Sequence, residues 1–522
     1  MQRRDFLTAL AGAPLAAAGA LRAHAQGTPA AELTYGQSVG VVTLDPAHGS
    51  YTLYPAGSEA ALCIYDGLLT FAPDMKIIPQ LAESWKMADD LKSCTLKLRS
   101  GAKFHDGTPV DVAAVKVNIE RLMDKQRNAT NRPLWDPVAG VETPDAGTVI
   151  LRLSQPFSEL PNSLAHVSGA LVSPAAIEKY GDNGIAKNPV GAGPYRMASF
   201  DPGQQLVLQA FDGYWGGKPK TAKLTLKAIA EPSTRIAALR TGSVDVIDSV
   251  PVALVAPLKQ DPNIAIMHVP GLRPIGFVIN LTRPKLADLR VRQALNLAVP
   301  VDVIASKVFF GYARAPDSPL AFNTDGYAPV SQLVHDPAKA KALLAEAGFG
   351  PGNPLELAMF VSQGLFPGDV SVGEVVANAL TQVGVKVAIT KIEAGSYWDA
   401  MRQDRANIKW DIAMFGFNPA NASGLYQLVS LFKSNADDAA RPDVWNMARY
   451  RNPEVDRLLS SAGTEADRKQ AAADLAKAQA LIWHDAPYIW LQINENVSAV
   501  RKPVNGVQVW PILFTNVRHA AT

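Results

Sequence analysis

Side chains that could do chemistry are spread thinly along this chain, and none forms a recognised catalytic pattern. The eight histidines are far apart, and no two lie one helical turn from each other, so a local zinc pair is absent. The chain has no G-x-S-x-G elbow, no H-E-x-x-H, no C-x-x-C and no phosphate-binding loop. Residues 191–193 begin like a dinucleotide loop, but Pro194 breaks the pattern. We therefore predict no catalytic residue, no metal site and no cofactor, and we do not interpret the protein as an enzyme.

Two cysteines, Cys63 and Cys94, are the only thiols of the chain. In an oxidising compartment they could form a disulfide. The alternative, which we favour, is that both are small core residues that never meet. Two cysteines do not make a disulfide scaffold in either case.

The N-terminus has the layout of a signal peptide over residues 1–25. Arg3 and Arg4 precede an apolar run over residues 6–21, and A-H-A at 23–25 offers a small-x-small exit after which we expect cleavage. The arginine pair is typical of a twin-arginine signal; a general secretory signal with two chance arginines is the alternative, and either one exports the protein. No cysteine lies near the cleavage point, so we expect no lipid anchor and a soluble protein in the periplasm.

Composition is that of an ordinary globular protein with a large core. Of the 522 residues, 48% are hydrophobic and 19% are charged, and the length suggests two to four domains. The net charge is only +2 and the basic residues are scattered, which argues against a nucleic-acid binder. After the signal peptide no long uncharged apolar stretch predicts a membrane span.

Strand-like and helix-like segments alternate along the chain and must position any site. Alternating apolar residues predict strands at 95–99, 148–153, 203–209, 223–229 and 385–389. Helical spacing predicts helices at 111–122, 291–298, 336–348 and 372–383. Asp111 and Asp336 are expected to cap two of these helices, and Gly348 suits a helix end. The interleaving implies an α/β fold.

Seven blocks resemble, in order, the landmarks of the dipeptide-, oligopeptide- and nickel-binding proteins of ABC importers, which are bacterial extracellular solute-binding proteins of family 5. The block LKLRSGAKFHDGTPV at 96–110 is very close to the family's diagnostic segment. The other blocks lie at 65–68 with 81–85, 188–195, 214–215, 289–296, 336–348 and 486–489. One block would be weak support, but seven in order over more than 400 residues strongly indicate the family.

The resemblance implies a two-lobed periplasmic binding protein fold of the large class, with an extra domain and a hinge between the lobes. Residues 32–64, 193–272 and 487–522 would form the proximal lobe, 65–192 the extra domain and 273–486 the distal lobe. A peptide or other small ligand would bind between the lobes and close them. The implied partner is the membrane permease of an ABC importer, and we expect a monomer that binds no nucleic acid.

The resemblance also indicates which residues face the ligand. The candidates are Phe415, Phe417, Asn418 and Asn421 from the distal strand and cleft loop, His48 and Tyr51 from the proximal rim, and Arg132, near where nickel-type relatives supply an arginine. Weaker candidates are Trp135, Tyr397, Trp398, Trp445 and Arg449. For each aromatic residue, a plain core position is an equally good interpretation.

The cleft loop departs from that of dipeptide-binding relatives. Those proteins place an aspartate after the Gly-Trp of the loop to hold the ligand's ammonium, whereas residues 416–420 contain no acid. They also use an arginine in the preceding region for the ligand's carboxylate, and residues 360–375 contain no basic residue. We therefore expect that both anchors of a free dipeptide are missing. An oligopeptide, a metal chelate, an opine-like compound and another organic acid stay open as ligands.

Two other functions stay open at this point. A sensory binding protein that docks on a chemoreceptor or kinase would have the same sequence features as an import protein. A secreted hydrolase on a similar scaffold would need catalytic residues that no motif here supplies.

Overall fold

The structure is a computed structural model that describes residues 31–47, 55–124, 134–419, 421–437 and 445–522. The predicted signal peptide, residues 1–25, lies outside the described residues. Helices and strands alternate along the rest of the chain. The predicted α/β fold class is therefore confirmed.

Most strands belong to one sheet of eleven strands within the described residues, in the order β15-β14-β16-β12-β17-β11-β1-β10-β9-β8 with β13 beside β17. A second sheet has the order β4-β5-β7-β6, and two short hairpins join β2 to β3 and β18 to β19. The strands are β1 (Glu32–Gln37), β2 (Leu69–Phe71), β3 (Ile77–Pro79), β4 (Ala82–Met87), β5 (Ser93–Leu98), β6 (Val138–Asp145), β7 (Thr148–Leu153), β8 (Tyr195–Asp201), β9 (Gln205–Ala210), β10 (Lys223–Ala228), β11 (Val246–Ile247), β12 (Ile264–Ile279), β13 (Ala313–Arg314), β14 (Glu356–Gln363), β15 (Lys386–Glu393), β16 (Ile412–Gly416), β17 (Tyr488–Arg501), β18 (Gln508–Val509) and β19 (Thr515–Asn516).

Helices cover the sheets and form the connections between strands. The α-helices are Pro55–Ile64, Val112–Met123, Leu160–Ala165, Pro174–Ile185, Pro232–Thr241, Val255–Lys259, Pro284–Ala287, Leu289–Ala298, Val301–Val303, Pro337–Glu346, Asp369–Gln382, Ala394–Met401, Gly424–Phe432, Pro453–Thr464 and Arg468–Asp485. Short 3-10 turns lie at Val167–Gly169, Val252–Leu254 and Arg405–Asn407, and a π-turn lies at Ile304–Val308. Within the described residues, no helix is both long enough and apolar enough to cross a membrane.

The predicted elements form where the sequence pattern places them, with small shifts at their ends. The Asp111 side chain accepts a hydrogen bond from the backbone N of Ala114 at 2.8 Å, as expected of a helix cap. The Asp336 side chain does the same for Lys339 at 2.9 Å. Gly348 has a φ of +87°, a left-handed conformation that lets the chain leave the helix cheaply.

Two long antiparallel strands, β12 and β17, run through the middle of the large sheet. Their register extends from Ile264 opposite Arg501 to Val278 opposite Tyr488. One end of β12 also pairs with β16, and the other end of β17 pairs with β11. The predicted lobe crossings, near 272 and 487, fall within β12 and at the start of β17.

The apolar core consists of separate clusters. The largest contains residues between 275 and 491, on and around β14, β16 and the end of β12. A second cluster surrounds the four-stranded sheet, and a third lies between β1 and β8–β10. The exact limits of the three predicted domains stay a prediction.

Cys63 and Cys94 are both buried and free, as we favoured. They belong to different clusters of the core. Burial raises the pKa of each thiol to about 12, so both are protonated and unreactive at neutral pH.

Candidate functional site

Four of the predicted ligand contacts form one aromatic cluster on the large sheet. The ring of Trp398 lies 5.8 Å from that of Phe415 and 5.5 Å from that of Trp445, edge-on in both cases. Phe417 joins the cluster through Trp445, at 6.2 Å. These centroid distances are those of favourable aromatic pairs. The structure therefore brings together four of the aromatic candidates.

Strand pairing explains why these residues meet. β14 and β16 run in parallel, with Met359 opposite Ile412, so the chain leaves both strands at the same edge of the sheet. Phe366 follows β14 and Phe417 follows β16 at that edge, and the ring of Phe366 lies 6.2 Å from Trp398. The carboxyl ends of parallel strands are a common place for ligands.

The aromatic cluster continues onto β17, where its members are buried, as Phe415 is. The rings of Tyr488 and Trp490 stack with their centroids 5.0 Å apart and an angle of 15° between the planes. Trp483 stacks on Trp490 at 5.3 Å, and Tyr488 lies 6.3 Å from Phe415. One continuous row of rings thus joins β17 to the cluster on β16.

Polar atoms of β17 are buried without a hydrogen-bond partner in the described part of the chain. They include the Tyr488 hydroxyl, Trp490 Nε1 and Gln492 Oε1. An unpaired buried polar group costs about 1–3 kcal/mol. Burial raises the pKa of Tyr488, so its hydroxyl stays neutral and can donate. A ligand or ordered water beside β17 would satisfy these groups.

Arg273 on β12 brings a positive charge to the same cluster. Its guanidinium lies over the ring of Phe366, 5.3 Å from the centroid. A Cβ added to Gly416 would lie 3.3 Å from its Cγ and Cδ, so the absence of a side chain at Gly416 leaves room for the arginine. Removal from water lowers the pKa of Arg273 to about 10, which leaves it charged at neutral pH. Across the described residues, no carboxylate pairs with it and no group accepts a hydrogen bond from it.

A bulge in β12 positions Arg273. Pro270 is opposite Glu495 and Pro274 is opposite Ile493, so three residues of β12, numbers 271 to 273, oppose Asn494 alone. A bulge of this kind bends a strand and redirects its side chains. Arg273 is the last residue of this bulge, and β12 begins to pair with β16 two residues later, at Ile275.

Asn418 and Asn421 tie the cleft loop to other parts of the chain. Asn418 Nδ2 donates to the carbonyl of Ile512 at 3.2 Å, while its Oδ1 is buried without a partner in the described residues. The carbonyl of Asn421 accepts from Asn162 Nδ2 at 3.0 Å. Their contact with a ligand stays a prediction.

The other candidates divide into two groups. His48, Tyr51 and Arg132 lie outside the described residues. Trp135 and Tyr397 are core residues whose polar atoms bond to Ser168 Oγ at 3.3 Å and to the Met414 carbonyl at 2.7 Å. Arg449 is buried and donates to the carbonyl of Gln403 at 2.9 Å.

Sequence reasoning missed Arg273, Tyr488 and Trp490. The family pattern places a basic anchor within residues 360–375, whereas Arg273 lies on another strand and contacts Phe366, a residue of that segment. One signal was present: Arg273 interrupts a largely apolar stretch that continues through 275–279. A charged residue inside such a strand needs a partner or a function.

No group of three or more His, Cys, Asp or Glu side chains could hold a metal ion among the residues that the structure describes. The arrangement of aromatic rings, one unpaired guanidinium and several unpaired polar atoms is typical of a small-molecule binding surface.

Comparisons with known proteins identify the family. The family model of the bacterial extracellular solute-binding proteins, family 5 (middle region), matches residues 76–439. The glutathione-binding protein GsiB of Pectobacterium atrosepticum is 33% identical over 473 residues, which is 90% of each chain. GsiB of Escherichia coli strain K12 is 32% identical over 475 residues, with the same coverage.

Solved structures share the fold across nearly the whole chain. AgaA from A. tumefacien R10, solved in complex with agropinic acid, has a TM-score of 0.76 and 27% identity over 94% of this chain and 96% of its own. NikZ from Campylobacter jejuni, solved with Ni(L-His), has a TM-score of 0.81 over 95% of this chain and all of its own, at 22% identity. The neighbours are two-lobed binding proteins, which confirms the predicted architecture. The chain belongs to the bacterial extracellular solute-binding proteins of family 5, and it is the substrate-binding component of an ABC importer for a peptide or another small organic solute.

Proposed function

We propose that the cleft binds a small peptide or peptide-like solute through a carboxylate, and that Arg273 is the anchor for that carboxylate. The observation that carries this proposal is the guanidinium of Arg273, which lies over Phe366 with no acidic partner among the described residues. Arg273 is half-buried, and a charge partly withdrawn from water is stabilised by an opposite charge beside it. A guanidinium binds a carboxylate through two parallel hydrogen bonds, so the ligand supplies the missing anion.

The remaining surface fits the rest of such a solute. Apolar parts of the ligand would pack on Trp398 and Trp445, and its peptide groups would bond to the unpartnered atoms of Tyr488 and Trp490. The cleft loop has no acid, so a ligand ammonium would lie against aromatic faces, which attract cations.

Glutathione is the first candidate for this solute. It is peptide-like and carries two carboxylates, and relatives about one-third identical to this chain are named as glutathione-binding proteins. An opine is the second candidate, because AgaA was solved with agropinic acid and an opine also offers a carboxylate to Arg273.

In this proposal the protein is exported to the periplasm, works as a monomer and delivers its solute to an ABC permease without catalysis. The periplasmic location of family members supports the compartment, and the names of the relatives as binding proteins support the absence of catalysis.

Isothermal titration with glutathione, dipeptides, opines, simple organic acids and Ni(L-His) tests the ligand class. We expect one of the carboxylate-bearing organic solutes to bind, and Arg273→Ala to weaken that binding by about 2 kcal/mol or more, roughly 30-fold in Kd. Arg273→Lys should recover part of the loss, because a lysine keeps the charge but not the two-pronged geometry.

Arg99→Ala is the matched control. Arg99 also lies over an aromatic ring, that of Trp215 at 4.6 Å, but its Nε donates to the carbonyl of Gln80. Its removal should leave the Kd unchanged. Unchanged affinity of Arg273→Ala, or binding of a capped analogue without a carboxylate as tightly as the free acid, would contradict the proposal.

A further inference from the structure

A short segment of the predicted extra domain, residues 158–162, contacts the predicted distal lobe; we call it the clasp. The backbone N of Ser158 donates to the carbonyl of Gly463 at 3.1 Å. At the other end, Asn162 Nδ2 donates to the carbonyl of Asn421 in the cleft loop at 3.0 Å. On the predicted domain division, these contacts exist only when the lobes are together.

Glu159 lies at the centre of the clasp and is buried there. The residue is 7% exposed, and its Oε2 has no hydrogen-bond partner among the described residues. The hydroxyl of Ser423, which caps the helix Gly424–Phe432, interacts with the carboxyl group and partly offsets the rise in its pKa. Glu159 also lines a cavity of about 270 Å³ together with Asp325, Arg468 and Leu425. The cavity gives the carboxyl group a route for proton exchange with water.

Two charged groups face Glu159, and both come from the predicted distal lobe. Asp325, beside Ser423, repels a charged Glu159, and Arg468, at the start of the helix Arg468–Asp485, attracts it. Both of these side chains are exposed, so water weakens their influence. Burial is the larger effect, and it raises the pKa of Glu159 to about 7.

We propose that Glu159 is a positioning residue for solute binding, and that it must take up a proton for the clasp to close on the distal lobe. Closure, and with it solute binding, then strengthens as the pH falls. This inference rests on the two-lobed fold and the predicted domain division, and it does not depend on which solute the cleft binds.

The sign of the pH effect follows from the two states of the carboxyl group. When the lobes part, Glu159 meets water and its pKa returns toward the ordinary value for glutamate. Closing raises the pKa to about 7, so closure takes up a proton at any pH between the two values. Within that window, the ratio of closed to open molecules rises up to about tenfold for each unit that the pH falls.

Single-molecule FRET on the ligand-free protein tests this inference, with dyes on Lys116→Cys and Lys341→Cys. Both lysines are exposed, one in the predicted extra domain and one in the predicted distal lobe, and the two native thiols are buried and do not react. When the pH is lowered from 7.5 to 6.0, we expect the closed-to-open ratio of the otherwise unaltered protein to rise roughly tenfold.

Three variants separate proton uptake from a merely structural role. Glu159→Gln should hold the high ratio at both pH values, because the amide is neutral and fits the same space. Asp325→Asn should move the response to lower pH, because it removes the repulsion. Glu178→Gln, at an exposed glutamate of the same predicted domain, should behave like the unaltered protein.

Several results would overturn the inference. A closed-to-open ratio that does not depend on pH in the otherwise unaltered protein would do so. A Glu159→Gln variant that keeps the pH response of the unaltered protein would do so too. So would a Glu159→Gln variant with a low closed-to-open ratio at both pH values. Closure at pH 7.5 on addition of ammonium chloride would show that a cation, and not a proton, neutralises Glu159 in the cavity.

Discussion

Two arginines with restricted access to water differ in their pairing. Arg518 Nη2 donates to Asp66 Oδ1 and to the hydroxyl of Tyr214, both at 2.8 Å. Arg273 has no acid beside it anywhere in the described part of the chain. A buried arginine that stabilises the folded protein is paired with an acid in this way. The absence of such a partner supports a role for Arg273 in ligand binding and not in stability.

Arg518→Met should lower the free energy of unfolding by about 3–5 kcal/mol, because it leaves Asp66 buried and unpaired. Asp66 is fully enclosed and also accepts from Trp215 Nε1 at 2.7 Å. Urea denaturation measures the change. Arg152→Met is the control, since Arg152 and Glu142 form an exposed pair that should contribute less than about 1 kcal/mol. Equal losses in the two variants would contradict the structural role of the buried pair.

At the scale of elements, the backbone of the β12 bulge determines where Arg273 lies in the site. Gly271 begins the bulge, and a Cβ there would lie 2.9 Å from the carbonyl oxygen of Asn494. That oxygen belongs to the backbone of β17 and cannot move without disturbing the strand. Glycine is therefore required for the close approach that directs Arg273.

Gly271→Ala should destabilise the protein by about 1–3 kcal/mol and weaken solute binding, because β12 must shift and Arg273 shifts with it. Thermal unfolding and titration measure the two effects. Gly140→Ala is the control, because a Cβ at Gly140 in β6 meets nothing within 4 Å. A Gly271→Ala variant with lower stability but unchanged affinity would show that the bulge does not position Arg273.

The elements were predictable, whereas the site was predictable only in part. Period-two and helical spacing gave strands such as β7 and the helix caps at Asp111 and Asp336, because these depend on neighbours in sequence. The aromatic cluster was found through the family's cleft loop. Arg273 was missed because its site depends on pairing between β12 and β16, which lie more than 130 residues apart and whose register no local pattern encodes.

At the scale of the whole molecule, a ligand that contacts both lobes should stabilise the folded protein. At a concentration one hundred times its Kd, the ligand should raise the free energy of unfolding by about 2.7 kcal/mol. Differential scanning fluorimetry should show a higher Tm with the bound solute, and small-angle scattering should show a smaller radius of gyration. Arg273→Ala, whose Kd should be roughly 30-fold higher, should gain only about 0.9 kcal/mol at the same solute concentration, with a correspondingly smaller rise in Tm. A higher Tm without compaction would contradict closure around the solute.

The two long strands also have a kinetic consequence. Arg273 lies on β12 beside the predicted lobe crossing at 272, close to the axis about which the lobes would rotate. A point near a pivot is displaced little, whereas the clasp makes its contacts at Asn421 and Gly463, outside the two crossing strands. The carboxylate anchor is therefore in place before closure. The association rate constant of the solute should not change when the clasp is altered. The clasp should govern how long a captured solute stays.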